Sequence, residues 1–470
     1  MRTFEPIPGR AWVILGVASS TVVLIILDSG FISLAFPEIE AEFVDTGRST
    51  LSWISSGYFI AMASLMLVTG RLAERVGRRR VFLGGLAIYA LGALVMAVAP
   101  TPVSLIGARL VQGAGAAALA PVSLAIALKE FPTGRRSTAI GGWAVIGGSS
   151  GVLAPTLGAI LVDAFGWRAP FVLLAALLGA VGFVATRVLE VDARPGTPPA
   201  IDLHSVPLAI AAVGGSALVL TEVRNWGLID GRLIAAVAVA AIAAVVLLRR
   251  SRSVPGSLID LALFRIPSYS IGSLASVFSQ VGFFAFFFTA PLFFTQVWGY
   301  SVLTAGFALA FHQGVSAIVG LPLGRLADRI GVRWIVGCGG LMAAVSFVLM
   351  VSFVDSTPQL VSVVLPAFLL GGIGTMANGA FTTSIALREI GDDAMTRASS
   401  GYYVARRLAS GLGVVIGAAL LGDASGAQRV DDFERVWVFA AACYALSGLI
   451  AFADRDKTGL LDLARRSRSS

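Results

Sequence analysis

Apolar runs close to twenty residues long recur along the whole chain and are separated by short polar segments. About twenty consecutive apolar residues let an α-helix cross the hydrocarbon core of a bilayer, which is roughly 30 Å thick. The pattern therefore predicts an all-α integral membrane protein with fourteen transmembrane helices. The predicted spans are 11–38, 50–69, 81–99, 102–128, 137–163, 170–188, 206–223, 232–248, 268–296, 303–323, 335–353, 358–386, 396–421 and 436–453.

The seventh and eighth predicted spans are short, and a twelve-helix alternative would place both of them outside the membrane. Residues 233–248 read LIAAVAVAAIAAVVLL, a stretch without a polar side chain. Leaving that much apolar surface in water is costly, at about 25 cal/mol per Å². Fourteen spans are therefore the better interpretation.

Eleven residues that follow the second span return in nearly the same form after the tenth. The first copy is GRLAERVGRRR at 70–80, and the second is GRLADRIGVRW at 324–334. Two halves of six helices align on these copies only if the seventh and eighth spans are an insert. Internal repeats are typical of secondary transporters. The predicted organisation is a six-helix bundle at 1–188, a linker with two extra helices at 189–267, a second six-helix bundle at 268–453, and a cytoplasmic tail at 454–470.

The composition excludes an ordinary soluble protein, because 57% of the 470 residues are apolar and only 13% are charged. The net charge of +8 could suggest a nucleic-acid partner, but the basic residues form short clusters at alternate ends of the spans. Such clusters mark the cytoplasmic segments of a membrane protein. We therefore expect no nucleic-acid partner, and we predict that both termini are cytoplasmic.

The sequence contains no residues in a pattern that would bind a metal or a cofactor. Cys338 and Cys443 fall inside apolar runs, where neither a structural disulfide nor a thiolate metal site is expected. No nucleotide-binding loop and no metal-ligand cluster occurs along the chain. We expect no metal and no cofactor, and an ion gradient rather than ATP as the energy source.

The first copy of the repeat resembles the loop between the second and third helices of the major facilitator superfamily, with Glu74 in place of the usual Asp. The resemblance implies that this acid faces the first turn of a helix in the other half, here near Ala394, and closes the cytoplasmic side. The alternative is that the arginines only orient the loop, and the second copy in register argues against it. The candidate gate residues are Gly70, Glu74, Arg75, Gly77, Arg78, Gly324, Asp328 and Arg329.

Asp28 lies deep in the first predicted span, where an ionisable side chain is expensive and marks a functional site by default. Its surroundings resemble the first-helix motif of the fourteen-span drug:proton antiporter branch of the superfamily. A carboxyl group in an apolar cavity can exchange a proton near neutral pH. The alternative is an acid held permanently in an ion pair. The motif matches at Leu27, Asp28, Ala35 and Pro37.

Arg109 is the predicted partner of Asp28. The sequence RLVQGAG at 109–115 resembles the fourth-helix motif of the same branch. At 1.5 Å per helical residue, Asp28 and Arg109 lie roughly 15 and 10 Å from the outer ends of their spans, within reach of each other. We predict that the pair couples transport to protons. The alternative is a static pair that only holds two helices together.

The fifth span resembles the antiporter motif of the family at Pro155 and Gly158, with alanine at two of the usual glycine positions. Small residues with a proline favour a tightly packed helix interface that can bend. In the family this motif is associated with exporters, and it is the main reason to predict export.

Several polar residues are candidates for the wall of a substrate cavity. Two arginines of the thirteenth span must enter the membrane, because only about fifteen apolar residues follow them; each could face the cavity or snorkel to the interface. Cavity arginines would disfavour cationic substrates and suit neutral or anionic amphipaths. The aromatic run FFAFFF at 283–288 is predicted mostly to face lipid. The possible cavity residues are Gln112, His312, Gln313, Arg406 and Arg407, of which His312 could instead be a packing histidine.

Together these features predict a secondary active transporter and not an enzyme. The predicted function is proton-coupled efflux of hydrophobic or amphipathic molecules, of the multidrug or antibiotic type, by alternating access across the bacterial cytoplasmic membrane. Its partners would be protons, a small amphipathic substrate and the lipid bilayer, and the chain would act as a monomer. The alternatives are an uptake symporter or facilitator for a metabolite, an exporter of lipid-like molecules, and a non-transporting sensor, which the lack of a soluble signalling domain disfavours.

Overall fold

The structure of the chain is a computed structural model that describes residues 6–46, 48–190, 202, 204–227, 229–254, 258–421 and 430–455. These residues form long helices, and no strand occurs among them. The helices of the first half are α1 (Gly9–Glu42), α2 (Arg48–Val76), α3 (Arg78–Val98), α4 (Pro102–Lys129), α5 (Arg136–Phe165) and α6 (Ala169–Val188). The remaining helices are α7 (205–226), α8 (Gly231–Ser253), α9 (Pro267–Val297), α10 (Val302–Ile330), α11 (Val332–Phe353), α12 (Leu360–Leu387), α13 (Met395–Leu421) and α14 (Val430–Phe452).

Thirteen of these helices carry an apolar stretch long enough to cross a membrane. The remaining one, α5, has 30 residues, which corresponds to about 45 Å of helix. The prediction of an all-α membrane fold is therefore confirmed, and the fourteen long helices match the predicted number of spans. Only helices and closed barrels satisfy all backbone hydrogen bonds in lipid, which explains why the apolar chain folds in this way.

The helices pack as two groups of six with a separate pair between them in sequence. In the first group, α4 packs on α2 and α3, and α1 packs on α5. In the second group, α9 packs on α13 and α14, and α11 packs on α12 and α14. The two bundles meet where α5 contacts α10 and where α2 contacts α13. The domain boundaries given above stay a prediction.

Glycines bring the helices of the two bundles into close contact at the end of the molecule that carries residues 70–80 and 324–334, which we call the motif end. A Cβ on Gly70 of α2 would overlap the side chain of Ser400 on α13. A Cβ on Gly324 of α10 would lie 2.7 Å from the carbonyl oxygen of Ser137 on α5. These approaches are possible only because the helices lack side chains at these points.

The repeated motif is mostly helical, in contrast to the loop expected from its resemblance. Residues 70–76 continue α2, and the chain turns only at Gly77, whose φ is 100°. In the second copy the turn is at Gly331, with a φ of 101°. A left-handed backbone conformation favours glycine, so one glycine in each copy makes the turn and the other allows helix contact.

The inserted pair α7 and α8 lies beside the seam between the two bundles. Gly214 of α7, within a π-helical turn, faces Ser64 of α2, and Leu220 of α7 packs at Gly411 of α13. Helix α7 therefore contacts both bundles, whereas α8 packs on α7.

A polar cluster joins the near ends of the inserted pair. Asp202 accepts hydrogen bonds from the Ser205 hydroxyl and from the Arg250 guanidinium at the end of α8. The Ser205 hydroxyl and then the Arg250 charge hold the pKa of Asp202 below its usual value. The cluster fixes the start of α7 against the end of α8.

We expect Gly340→Leu to destabilise the second bundle. A Cβ on Gly340 of α11 would lie 2.7 Å from the Cα of Gly448 and from the carbonyl oxygen of Tyr444, both on α14. Overpacking at such a crossing costs about 1–3 kcal/mol, so the midpoint of thermal unfolding of the purified protein should fall. The control is Gly84→Leu in α3, since nothing lies within 4 Å of a Cβ there; equal midpoints for the two variants would contradict the packing described.

Candidate functional site

The carboxylate of Asp28 is held inside the first bundle by side chains of two other helices. Arg109 Nη1 of α4 lies 2.5 Å from Asp28 Oδ2, and both residues are fully buried. The Tyr89 hydroxyl of α3 donates to the same oxygen at 3.0 Å, and Gln112 Nε2 donates to Oδ1 at 3.3 Å. Every oxygen of the carboxylate therefore has a donor, as a buried charge requires.

The Arg109 guanidinium is held as firmly as its acidic partner. Its Nε donates to the carbonyl oxygen of Ile54 at 2.9 Å, and its Nη1 also donates to Gln112 Oε1 at 3.0 Å. Its Cζ lies 4.3 Å from the centre of the Tyr58 ring, a favourable cation–π distance. The cluster of Asp28, Arg109, Gln112, Tyr89 and Tyr58, which we call the buried ion-pair cluster, thus joins α1, α2, α3 and α4.

A cavity of about 380 Å³ lies between the two bundles. Helices α1, α4 and α5 supply its wall on one side, and α9, α10, α12, α13 and α14 supply the other. A volume of this size suits a small organic molecule. Aromatic side chains form much of the wall, namely Trp143, Phe283, Phe284, Tyr403 and Tyr444.

Of the predicted cavity residues, Gln313, Arg406 and Arg407 line this cavity, whereas Gln112 and His312 do not. Gln112 points into the buried ion-pair cluster, where both ends of its amide are used. His312 is 4% exposed and packs beside the rings of Phe286 and Phe368. The cavity role expected of Gln112 is therefore corrected, because Gln112 faces the buried ion-pair cluster. For His312 the alternative of a packing histidine applies, because its ring lies among the aromatic side chains of the second bundle.

The aromatic run at 283–288 also differs from the expectation that it faces lipid. Phe283 and Phe284 line the cavity. Phe286 is 1% exposed and packs edge-on against Phe347. None of the phenylalanines in the run is exposed, because α9 packs on α12, α13 and α14 and is covered on most sides.

The first copy of the repeated motif contacts the other bundle through Glu74 and Arg78. Glu74 Oε2 lies 3.3 Å from Arg397 Nη1, in the first turn of α13. Arg78 Nε donates to Thr396 Oγ1 at 2.9 Å, and its guanidinium also donates to the Asp392 carbonyl oxygen. A carboxylate at the start of a helix is favoured by the helix dipole as well as by the arginine.

The second copy of the motif makes the corresponding contact from the second bundle to the first. Asp328 of α10 accepts hydrogen bonds from the backbone N–H groups of Ser137 and Thr138, each at 3.1 Å, and from the Thr138 hydroxyl. These groups form the first turn of α5, so Asp328 caps a helix of the other bundle. Arg136 adds an ion pair to Asp392 at 2.9 Å. Together the two copies close the motif end of the cavity.

Two of the predicted gate residues lie away from this contact, and several contact residues were missed. Arg75 and Arg329 are exposed, and among the described residues neither contributes to the hydrogen bonds and ion pairs that join the two bundles. Arg397 and Asp392 were not predicted, although both lie within four residues of Ala394, where the partner helix was expected to begin. Asp260, which pairs with Arg397 Nη2 at 3.1 Å, precedes α9 and carries no motif that would identify it.

The antiporter motif lies where α5 crosses α1. A Cβ on Gly158 would lie 2.6 Å from Leu34 Cδ1 of α1. One turn earlier, Ala154 packs closely on Gly30 of α1. A Cβ on Gly30 would lie 2.6 Å from the Cβ of Ala154. Pro155 is part of α5, but its side chain is outside the described part of the chain. Small residues on both helices therefore allow α1 and α5 to approach.

The described residues contain no candidate metal-binding site. No group of three or more His, Cys, Asp or Glu side chains in this part of the chain is arranged to hold a metal ion.

Comparison with known proteins assigns the fold and the family. The sequence profile of the Major Facilitator Superfamily matches residues 18–271 and 272–467. The chain is 31% identical to the methylenomycin A resistance protein of Streptomyces coelicolor, over 92% of this chain and 89% of that protein. It is 30% identical to the multidrug resistance protein Stp of Mycobacterium tuberculosis, over 85% and 73% of the two chains.

A solved structure shares the same fold. The transporter FucP, solved in the outward conformation, superposes with a TM-score of 0.67 at 14% identity and covers 94% of this chain and 98% of its own. The matching profile spans both bundles, and the similarity to the resistance proteins extends over most of the sequence. The chain is therefore a multi-pass membrane transporter that belongs to the Major Facilitator Superfamily.

Proposed function

We propose that the chain exports hydrophobic or amphipathic small molecules in exchange for protons, by alternating access. The observation that carries the proposal is a cavity between two bundles that is closed at one end by two copies of the same motif. Two repeats that rock against each other around a central site are the basis of alternating access. The similarity to antibiotic-resistance proteins supports export as the direction.

The motif end faces the cytoplasm in this proposal. The segments at 70–80 and 324–334 are rich in arginine, and cytoplasmic segments carry such an excess. Both termini then lie on the same side. With the cytoplasmic end closed, the cavity is placed to open outward, the state in which an exporter releases its substrate and takes up a proton.

The proton site is Asp28. Protonation would neutralise its carboxylate and weaken its contact with Arg109, leaving the guanidinium with the Ile54 carbonyl, the Gln112 side chain and the Tyr58 ring. Such a change alters the packing of α1 against α4. Loss of the proton to the cytoplasm restores the ion pair, so the two charge states of one residue favour two arrangements of the bundle.

Helix α1 links the proton site to the substrate cavity. Val22 and Ile26 of α1 line the cavity, while Asp28 follows Ile26 by two residues and points to the opposite side of the helix. Residues two apart on a helix project about 200° from each other. Because α1 also packs on α5, which contacts α10 across the seam, movement of α1 reaches both the cavity and the closed end.

We expect Asp28→Asn to abolish proton-coupled export. In proteoliposomes with a defined pH gradient, the wild type should move substrate against its gradient and release protons, and the variant should do neither. Asp163→Asn removes an exposed carboxylate near the end of α5 and should leave both activities unchanged. Asp28→Glu keeps an acid at the site and should retain part of the activity.

The same experiment separates the proposal from its alternatives. Unchanged dependence on the proton gradient in Asp28→Asn would contradict proton coupling through this residue. Accumulation of substrate in the direction of proton flow would make the chain an uptake symporter, and transport without any proton movement would make it a facilitator or a lipid carrier.

We expect the two members of the ion pair to be strongly coupled in stability. Arg109→Gln alone leaves the Asp28 carboxylate buried without its counterion and should cost about 3–5 kcal/mol. The double variant Asp28→Asn/Arg109→Gln removes both charges and should unfold at a higher temperature than Arg109→Gln alone. Additive losses in a double-mutant cycle would show that the pair does not interact as described.

We expect the variant Glu74→Gln/Asp328→Asn to open the cytoplasmic end. It removes the charges that bind Arg397 and the first turn of α5. The reporter is Ala144→Cys in the cavity wall, with Cys338 and Cys443 changed to Ser, and an impermeant maleimide is applied to inside-out vesicles. Labelling should increase over the parent.

The control is Glu389→Gln, because Glu389 at the same end pairs only with its neighbour Arg388 among the residues described. No increase in the double variant, or an equal increase in the control, would contradict the proposed latch.

A further inference from the structure

The charge of the cavity wall is positive within the part of the chain that the structure describes. Arg406 and Arg407 are the charged side chains among its lining residues, and no aspartate or glutamate lines it. The sequence analysis predicted Asp28 as the acid closest to the cavity. Asp28 does not line the cavity, and its charge is paired with Arg109. The wall therefore holds two cations that no lining acid offsets.

The two arginines differ in what they contact. Arg406 Nη1 donates to the Gly379 carbonyl oxygen at 2.8 Å, to the Tyr402 hydroxyl at 3.1 Å and to Ser276 Oγ at 3.3 Å. These acceptors all belong to the second bundle. Arg406 is thus a structural residue that ties α13 to α9 and α12, and its charge is largely satisfied.

Arg407 has no such partner. No hydrogen bond or ion pair to its guanidinium occurs among the described residues. Its electrostatic neighbours are Tyr58 of the first bundle, Tyr403 and the like-charged Arg406. A charged group that faces a low-dielectric cavity without a counterion is costly, and a bound anion would remove that cost.

We infer that the cavity binds an amphipathic organic anion whose carboxylate, or a similar anionic group, pairs with Arg407. The inference rests on the proposed function, since it names the substrate class of the same cavity. The apolar body of the anion would lie against Trp143, Phe283 and Phe284, which form the aromatic part of the wall. Arginine binds carboxylates through two parallel hydrogen bonds, so the site selects shape as well as charge.

The same arrangement disfavours cations. A positively charged substrate would enter a wall that already holds two positive charges and no acid. In a site of low dielectric, like charges repel much more strongly than in water. A neutral molecule of equal shape would gain the aromatic contacts but not the ion pair.

The test compares three ligands of nearly equal shape: 2-naphthoate, 2-naphthamide and 2-naphthylmethylammonium. Binding of each radiolabelled compound to the purified full-length chain is measured by equilibrium dialysis, with empty detergent micelles as the background. The series is repeated with the corresponding anthracene compounds, so that ligand size is not the deciding factor.

The protein variants are wild type, Arg407→Gln, Arg407→Lys and Arg435→Gln. Arg435 is an exposed arginine of α14 whose side chain is 65% accessible, so its loss changes the net charge equally without touching the cavity. A thermal unfolding scan of each variant establishes that it is folded.

We expect the anion to bind at least about tenfold more tightly than its amide, and the ammonium compound to bind most weakly, because charge-assisted hydrogen bonds are the strong ones. Arg407→Gln should reduce the preference for the anion over the amide to about twofold or less. Arg407→Lys should restore part of the preference, because it returns the charge but not the paired hydrogen bonds, and Arg435→Gln should leave the preference intact.

Equal binding of anion and amide in the wild type, or a preference for the ammonium compound, would overturn the inference. So would a preference for the anion that survives in Arg407→Gln. These outcomes leave the proton-coupled export proposal standing, because that proposal depends on Asp28. Conversely, suppose that anion binding depends on Arg407 but that transport is unchanged in Asp28→Asn. This result would support the anion site and contradict proton coupling through Asp28.

Discussion

A buried pair of opposite charges sets the conditions for the rest of the structure. Asp28 and Arg109 are both fully buried, where either charge alone would be expensive. Their attraction draws α1 against α4, and the Tyr89 and Gln112 side chains complete the coordination of the carboxylate. In the proposed mechanism, protonation of Asp28 removes this attraction and changes the packing of the bundle.

The seam between the two bundles is held by two related sets of contacts. Each copy of the repeated motif sends an acid to the first turn of a helix in the other bundle, Glu74 to α13 and Asp328 to α5. Glycines allow these helices to approach so closely that the contacts are short. Helix α5 takes part in both the closed end and the crossing with α1, so it can carry a change at Asp28 to the seam.

The sequence predicted the parts of the site that depend on spacing and depth, such as the Asp28–Arg109 pair and the acid of each motif copy. It did not predict which way side chains turn, because a helical pattern fixes angles within one helix but not its orientation towards its neighbours. Gln112, Phe283, Phe284 and Phe286 were misplaced for this reason, and His312 follows the alternative of a packing histidine. Arg406 and Arg407 are adjacent in sequence and both line the cavity, yet among the described residues only Arg406 is hydrogen-bonded within its bundle.

Infrared difference spectroscopy of the carboxyl stretch measures directly whether substrate binding changes the protonation of Asp28. The spectrum of the purified protein is recorded with and without substrate at neutral pH, for the wild type and for Asp28→Asn. We expect substrate binding to change the band of a protonated carboxylic acid in the wild type and to leave that band unchanged in Asp28→Asn. Substrate binding without any change in that band, or the same change in both proteins, would contradict this expectation.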